Sequence, residues 1–191
     1  MTGTVVSRDH TVLLVVDEQA KLAAAMERRE PVVASTVRLI RTAQLVGMPI
    51  VVTRQYPKGL GETEPAVEAA LLEVEAQGGR VARVDKVSFD CFGDAGFLRA
   101  LASFRCRQLV IAGMETHICI CQTALSALAR DLDVHVMADA CCSRSAENHE
   151  LAMARLRQAG AVVSASESAM YELVGVAGTD EFKALLAIVK G

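Results

Sequence analysis

Tryptophan is absent and aromatic residues make up only 4% of the chain, which leaves little with which to stack nucleobases. No charge of one sign is gathered either. Twenty Lys and Arg against 23 Asp and Glu give a net charge of −3, scattered along the chain, with no basic stripe for phosphates and no polybasic amphipathic stretch for lipid. Long apolar runs are missing: the longest, residues 12–16 and 109–112, are strand-sized, whereas a membrane helix needs roughly 18 residues. The first ten residues lack the charged segment and apolar core of a secretory signal, so the expected compartment is cytoplasmic. Histidine is sparse, at positions 10, 117, 135 and 149, with no partner at metal-ligand spacing, so no metal and no cofactor is expected. A small molecule is the expected partner, and neither nucleic acid nor membrane is.

What the chain has in quantity is apolar residues, 52% of the total, with a mean hydropathy of +0.31. Its 191 residues suffice for one domain with a substantial core. Such an apolar surplus predicts a sheet covered on both faces, and further surface to bury in a homo-oligomer, a dimer or tetramer. Six cysteines, at 91, 106, 119, 121, 141 and 142, read as free thiols in the absence of a secretory signal. Their spacings do not match zinc sites, and most pack as small buried hydrophobes.

Apolar runs alternate with amphipathic stretches. Strands are expected at 11–16, 49–53, 81–84, 108–112, 134–137 and 161–164. Helices are expected at 32–46, 66–76, 94–104, 117–130, 147–158, 166–173 and 180–189, and the Gly- and Pro-rich segment 54–65 as loop. Strands separated by helices imply right-handed crossovers and a mostly parallel six-stranded sheet in a three-layer α/β/α sandwich, one domain over residues 1–191. In such a sheet functional groups gather beyond the carboxyl ends of the strands.

Three reactive residues meet that condition. Asp17 follows the first strand directly; alone it could equally be a cap or turn residue. Lys86 lies just past the third strand, beside Phe89 and Phe92, where partial desolvation would set a cation near a thiol; alone it could be a surface lysine paired with Asp85. Cys119 follows the fourth strand where the chain must turn into a helix, and aligned N–H groups at a helix start lower a thiol pKa and meet a developing oxyanion. His117 is a poor base for it, because residues two apart do not share a helix face, and it reads as a structural or interface histidine.

The three together resemble the isochorismatase-like superfamily of cysteine hydrolases. Leu14-Val15-Val16-Asp17-Glu18-Gln19 is similar to its Asp-x-Gln strand end, Lys86 stands in the place of its lysine, and Gly113-Met114-Glu115-Thr116-His117-Ile118-Cys119-Ile120 is similar to its nucleophile motif. Gln55-Tyr56-Pro57-Lys58-Gly59-Leu60-Gly61 and Asp139-Ala140-Cys141-Cys142-Ser143-Arg144-Ser145 resemble the isochorismatase domain-containing subgroup, many of whose members have no assigned substrate. The resemblance implies that Asp17 takes the Cys119 proton, that Lys86 steadies the pair and keeps the thiol ionised, and that backbone N–H groups of Glu115 and Cys119 hold the oxyanion. It also implies a non-proline cis peptide at Met114–Glu115 and a pocket drawing on Gln19, Tyr56 and Phe89. Nicotinamidases of the superfamily carry an Asp-x-His…His metal site after the second strand, and 53–65 here contains no His, which argues against nicotinamide. Isochorismatases proper lack the nucleophilic cysteine, so Cys119 argues against isochorismate. An amide or related C–N bond is the expected target, cleaved through a thioester. Two other readings remain: a binding or scaffold protein that kept the three residues, and a redox-sensing thiol protein built on Cys119, Cys121, Cys141 and Cys142.

Overall fold

The computed structural model describes residues 5–190. Six strands, β1 (Thr11–Val16), β2 (Ile50–Gln55), β3 (Val81–Lys86), β4 (Gln108–Met114), β5 (Asp133–Cys142) and β6 (Val162–Ser164), form one sheet in the order β3-β2-β1-β4-β5-β6. Every pairing is parallel, so the expected sandwich forms with no antiparallel edge. The helices are α1 (Ala20–Ala23), α2 (Arg29–Leu45), α3 (Pro57–Leu60), α4 (Pro65–Ala76), α5 (Ala95–Ser103), α6 (Cys121–Leu128), α7 (Ala146–Ala159), α8 (Ser166–Val174) and α9 (Asp180–Lys190). None is long and apolar enough to cross a membrane.

β1 explains the layering. All six of its residues are buried, and alternate side chains go to opposite faces. Val12, Leu14 and Val16 join Phe97 of α5, Ala124 of α6 and Leu156 of α7, while Leu13 and Val15 join Ile40 of α2, Leu71 of α4 and Met170 of α8. A continuous β-branched and Leu run is thus the signature of a strand between two helical layers. Helix limits follow local chemistry. The Asp94 carboxylate accepts from the N–H groups of Gly96 and Phe97 at the start of α5, and Gly160 ends α7 in a left-handed conformation.

Several segments differ from expectation: α1 was not foreseen, and β5 runs on from the expected 134–137 to Cys142. β2 runs to Gln55 and β3 to Lys86, because the two strands stay paired through Gln55 opposite Lys86; Lys86 is the last residue of its strand, not a residue beyond it. The expected loop 54–65 contains α3, which Pro57 opens after Tyr56 turns through φ +38°. A 3₁₀ turn, Cys91–Gly93, precedes α5. Between β4 and α6 the chain makes a π-helical turn, Thr116–Ile120, so Cys119 lies inside a widened turn ahead of the α-helix. Such turns occur often at functional sites.

The strand order reverses between β1 and β4, and an open parallel sheet has its binding crevice where this happens, at the carboxyl ends. Gly113, at φ +131°, faces Val16 across that reversal, and a Cβ there would collide with the Val16 carbonyl oxygen. Both the backbone angle and the space require glycine. Gly113→Ala is therefore expected to lower unfolding free energy by about 3 kcal/mol or more in denaturant titration; a loss below about 1 kcal/mol would show that the junction yields easily.

Candidate active site

Asp17 leaves β1 in the left-handed region, φ +51°, which turns its carboxylate back under the sheet edge. It is fully buried. One oxygen, Oδ1, accepts from the Thr53 hydroxyl at 2.7 Å, and the other, Oδ2, from Lys86 Nζ at 2.7 Å. Lys86 extends along the end of β3 with its side chain wholly inaccessible. Its ammonium also donates to Gln55 Oε1 at 2.8 Å and reaches the carbonyls of Ser88 and Phe89 at 3.1 and 3.4 Å. Burial disfavours the ammonium, but the Asp17 carboxylate and the nearby Cys91 and Cys119 sulfurs more than offset this, and its pKa lies above the ordinary lysine value.

Cys119 is 5% exposed, and its thiol lies in side-chain contact with Asp17. Burial first, then the Asp17 charge, push the thiol pKa well up; Lys86 works the other way without prevailing. Lys86 thus acts in the expected direction, towards the ionised sulfur, against burial and Asp17.

The Met114–Glu115 peptide is cis. Beyond it the Glu115 carbonyl accepts from the N–H groups of Ile118 and Ile120, at 3.2 and 3.3 Å, which shapes the widened turn around Cys119. The buried Glu115 carboxylate is held by Arg144 Nε at 2.8 Å and the Arg144 N–H at 3.3 Å. His117 Nδ1 lies 2.9 Å from Ser143 Oγ and 3.7 Å from Glu115 Oε2, a supporting place for this turn. Behind it Thr116 Oγ1 lies 2.9 Å from His149 Nδ1.

Of the expected pocket residues, Gln19 is spent on the backbone. Its amide donates to the carbonyls of Gln55 and Gly61, at 3.1 and 2.7 Å, and accepts from the Gln55 N–H at 2.7 Å, so it clamps the start of the β2 loop. Tyr56 and Phe89 are each 54% exposed on the same sheet edge as Lys86.

Sequence reading missed Thr53 and Gln55, which project from one face at the end of β2; their i, i+2 spacing at a strand end was the available signal. It also missed Cys91, fully buried in the 3₁₀ turn, and Glu18. Both Glu18 oxygens are buried and form no well-aligned hydrogen bond among the described residues; burial pushes this carboxyl up to about 8, the neighbouring Thr36 hydroxyl offsetting part of the effect and Glu64 adding to it. Nothing in the residue string marks Glu18 as different from any strand-end acid. The donor set does not suit a metal: the β2 end offers no histidine, and among the described residues no three His, Cys, Asp or Glu are grouped to hold an ion.

Residues 11–168 match the profile of the Isochorismatase domain. The chain belongs to the isochorismatase family. It is 37% identical to isochorismatase domain-containing protein 2 of Bos taurus over 94% of this chain and 83% of that one. A secreted isochorismatase effector, Isc1, of Phytophthora sojae is 32% identical over 94% of this chain and 84% of the other. Among solved structures it resembles the MAR1 ribonuclease of Caenorhabditis elegans, with a TM-score of 0.87, 29% identity and coverage of 98% and 93%. It also resembles the nicotinamidase SaPncA of Staphylococcus aureus, with a TM-score of 0.75, 25% identity and coverage of 82% and 99%. The fold is therefore that of a hydrolase family.

The raised Cys119 pKa predicts how iodoacetamide labels this residue: the rate should climb from about pH 6 to beyond about pH 9 without levelling near neutrality. Peptide mapping after timed alkylation reads it. A plateau below about pH 7 would mean that the resting sulfur is already a thiolate.

Proposed function

We propose that residues 1–191 form one cysteine hydrolase domain that cleaves an amide or related C–N bond of a small molecule through a thioester. The observation that carries this reading is the wholly buried Lys86–Asp17 ion pair, 2.7 Å long, with the Cys119 thiol against its carboxylate. A neutral thiol beside a carboxylate is a nucleophile with its base in place. Asp17 takes the proton as sulfur attacks the carbonyl carbon, and Lys86 stays charged to stabilise the pair. The oxyanion then forms against the N–H groups of Glu115 and Cys119, where loss of one such donor typically costs about 3–4 kcal/mol. Asp17 returns the proton to the leaving amine, and water, deprotonated in turn by Asp17, hydrolyses the thioester. Tyr56 and Phe89 supply the apolar side of the pocket.

Two other readings are weaker. A scaffold protein would have no need of a buried charged pair beside a thiol. The ribonuclease named among the structural relatives raises RNA as a substrate, but the −3 charge and 4% aromatic content favour a small uncharged or weakly charged amide. The experiment is a panel of amides assayed for ammonia release, with an RNA oligonucleotide as a parallel arm. Cys119→Ala should fall to background, and Asp17→Asn should lose about 10²–10⁴-fold in kcat. Turnover that survives Cys119→Ala, or RNA cleavage with no amide hydrolysed, would overturn the reading.

The surplus apolar surface, including exposed Val87, Phe89, Leu98 and Leu151, supports a homo-oligomer, and a structural relative, YcaC of Escherichia coli, is described as an octameric hydrolase of unknown specificity. Multi-angle light scattering at micromolar concentration is expected to give a multiple of the 20.4 kDa chain; a monomer would contradict it.

A further inference from the structure

The chain leaving β1 pairs once more before it turns into α1. Gln19 forms an antiparallel bridge with Thr63, closed by hydrogen bonds from the Glu64 N–H to the Glu18 carbonyl at 2.8 Å and from the Ala20 N–H to the Glu62 carbonyl at 2.9 Å. That register sets Glu18 directly opposite Glu64, where two side chains share one face and like charges repel. Both residues are buried, Glu18 completely. Glu64 Oε1 accepts from Arg29 Nη2 at 2.7 Å, but its Oε2 and both oxygens of Glu18 form no well-aligned hydrogen bond among the described residues. From α2, Thr36 offers these three oxygens a single hydroxyl, itself buried without a well-aligned bond. From β5, Cys141 and Cys142 are thiols that burial holds neutral, and exposed Arg28 acts on Cys142. Asp17, next in sequence, is taken by Thr53 and Lys86. Two carboxylates here, with Arg29 held by one of them, would leave a buried charge uncompensated.

We propose that Glu18 carries a proton in the closed protein, and that this proton is a pH-sensitive latch holding the segment 55–64 to the end of β1. Protonation removes the charge that faces Glu64 and turns one of the three oxygens from an acceptor into a donor. The latch lies beneath the polar framework of the site. Gln19, at the centre of the bridge, donates to the carbonyls of Gly61 and Gln55, and the Gln55 side chain in turn accepts from Lys86. The same segment carries the exposed Tyr56. When the bridge opens, Glu18 meets water and gives its proton to solvent, and the segment bearing Tyr56 is released. Burial, the largest influence, raises Glu18 from the ordinary 4.5 to about 8. Opening therefore becomes easier by up to about tenfold per pH unit between those two values, and no easier above about pH 8, where the group is ionised in both forms. The inference does not depend on the hydrolysis proposed above.

The test uses the full chain. At about pH 6, where exposed glutamates are ionised, the wild-type infrared spectrum should keep a carboxylic-acid C=O band that shifts on isotope labelling of glutamate and fades through about pH 8. Protection of the Ala20 and Glu64 N–H groups against hydrogen exchange, corrected for the intrinsic rate at each pH, should fall on the order of fiftyfold from about pH 6 to about pH 8 and then level. In Glu18→Gln the band should be missing and the protection flat. A wild-type spectrum without the band, protection that does not change over that interval, or the same fall in Glu18→Gln would overturn the proposal. So would protection restored at about pH 8 by sodium, potassium or magnesium ions at fixed ionic strength, because a cation rather than a proton would then balance the pair. The two wild-type measurements decide it even if Glu18→Gln fails to fold. Neither reads turnover, so a chain that shows both signals but hydrolyses nothing sinks only the hydrolase reading, and one that hydrolyses without them sinks only this one.

Discussion

Taking a lysine ammonium and an aspartate carboxylate wholly out of water carries a desolvation penalty of several kcal/mol for each ion, and only close contact with further hydrogen bonds repays it. The Lys86–Asp17 pair meets those terms through Thr53, Gln55 and the carbonyls of the 88–89 turn. Each of these supports comes from the end of a neighbouring strand or the turn after it. The ion pair therefore holds only if β1, β2 and β3 stop at the same height, which the in-register pairing secures. Everything placed around the pair inherits that alignment. Replacing either ion alone would leave the other buried and uncompensated, so the site ties its chemistry to the stability of the sheet edge.

Cys119 depends on the same edge by a different route. β4 arrives beside β1 with Gly113 against Val16, close enough that no side chain fits between them. That approach brings the turn after β4 over Asp17. The widened helical turn then sets Cys119 against the carboxylate, while Arg144 and the Ser143–His117 contact brace the turn from β5's end. Two independent strand junctions, one ionic and one steric, thus converge on a single sulfur.

The layered α/β architecture was legible because it rests on periodicity. The unbroken apolar run of β1 and the capped amphipathic helices have no competing interpretation of similar quality. Asp17, Lys86 and Cys119 were legible as strand-end residues, and the family motif raised each above a bland alternative. What escaped was set by depth rather than by pattern. Strand ends at Gln55 and Lys86 follow from pairing with each other, which no local window contains. The raised pKa of the Cys119 thiol follows from burial beside Asp17, and the sequence neighbours of Cys119 carry no sign of it. Gln19 matched a motif, yet its amide is consumed by backbone groups more than thirty residues away in sequence.

The strand order has a consequence for how the chain comes to be folded. β1, β2 and β3 are neighbours in sequence and can pair early, but the partner on β1's other side begins only at Gln108. Until that segment is made and docks, one edge of a strand composed of Thr, Val, Leu, Leu, Val and Val lies open, flat and uncharged. Such an edge is a template for pairing with any other extended chain, including a second nascent copy. The native fold guards it by placing it in the middle of the sheet, a protection that does not exist for the first half of synthesis. The same central position that makes β1 the best-buried element of the finished protein makes it the most hazardous element of the unfinished one.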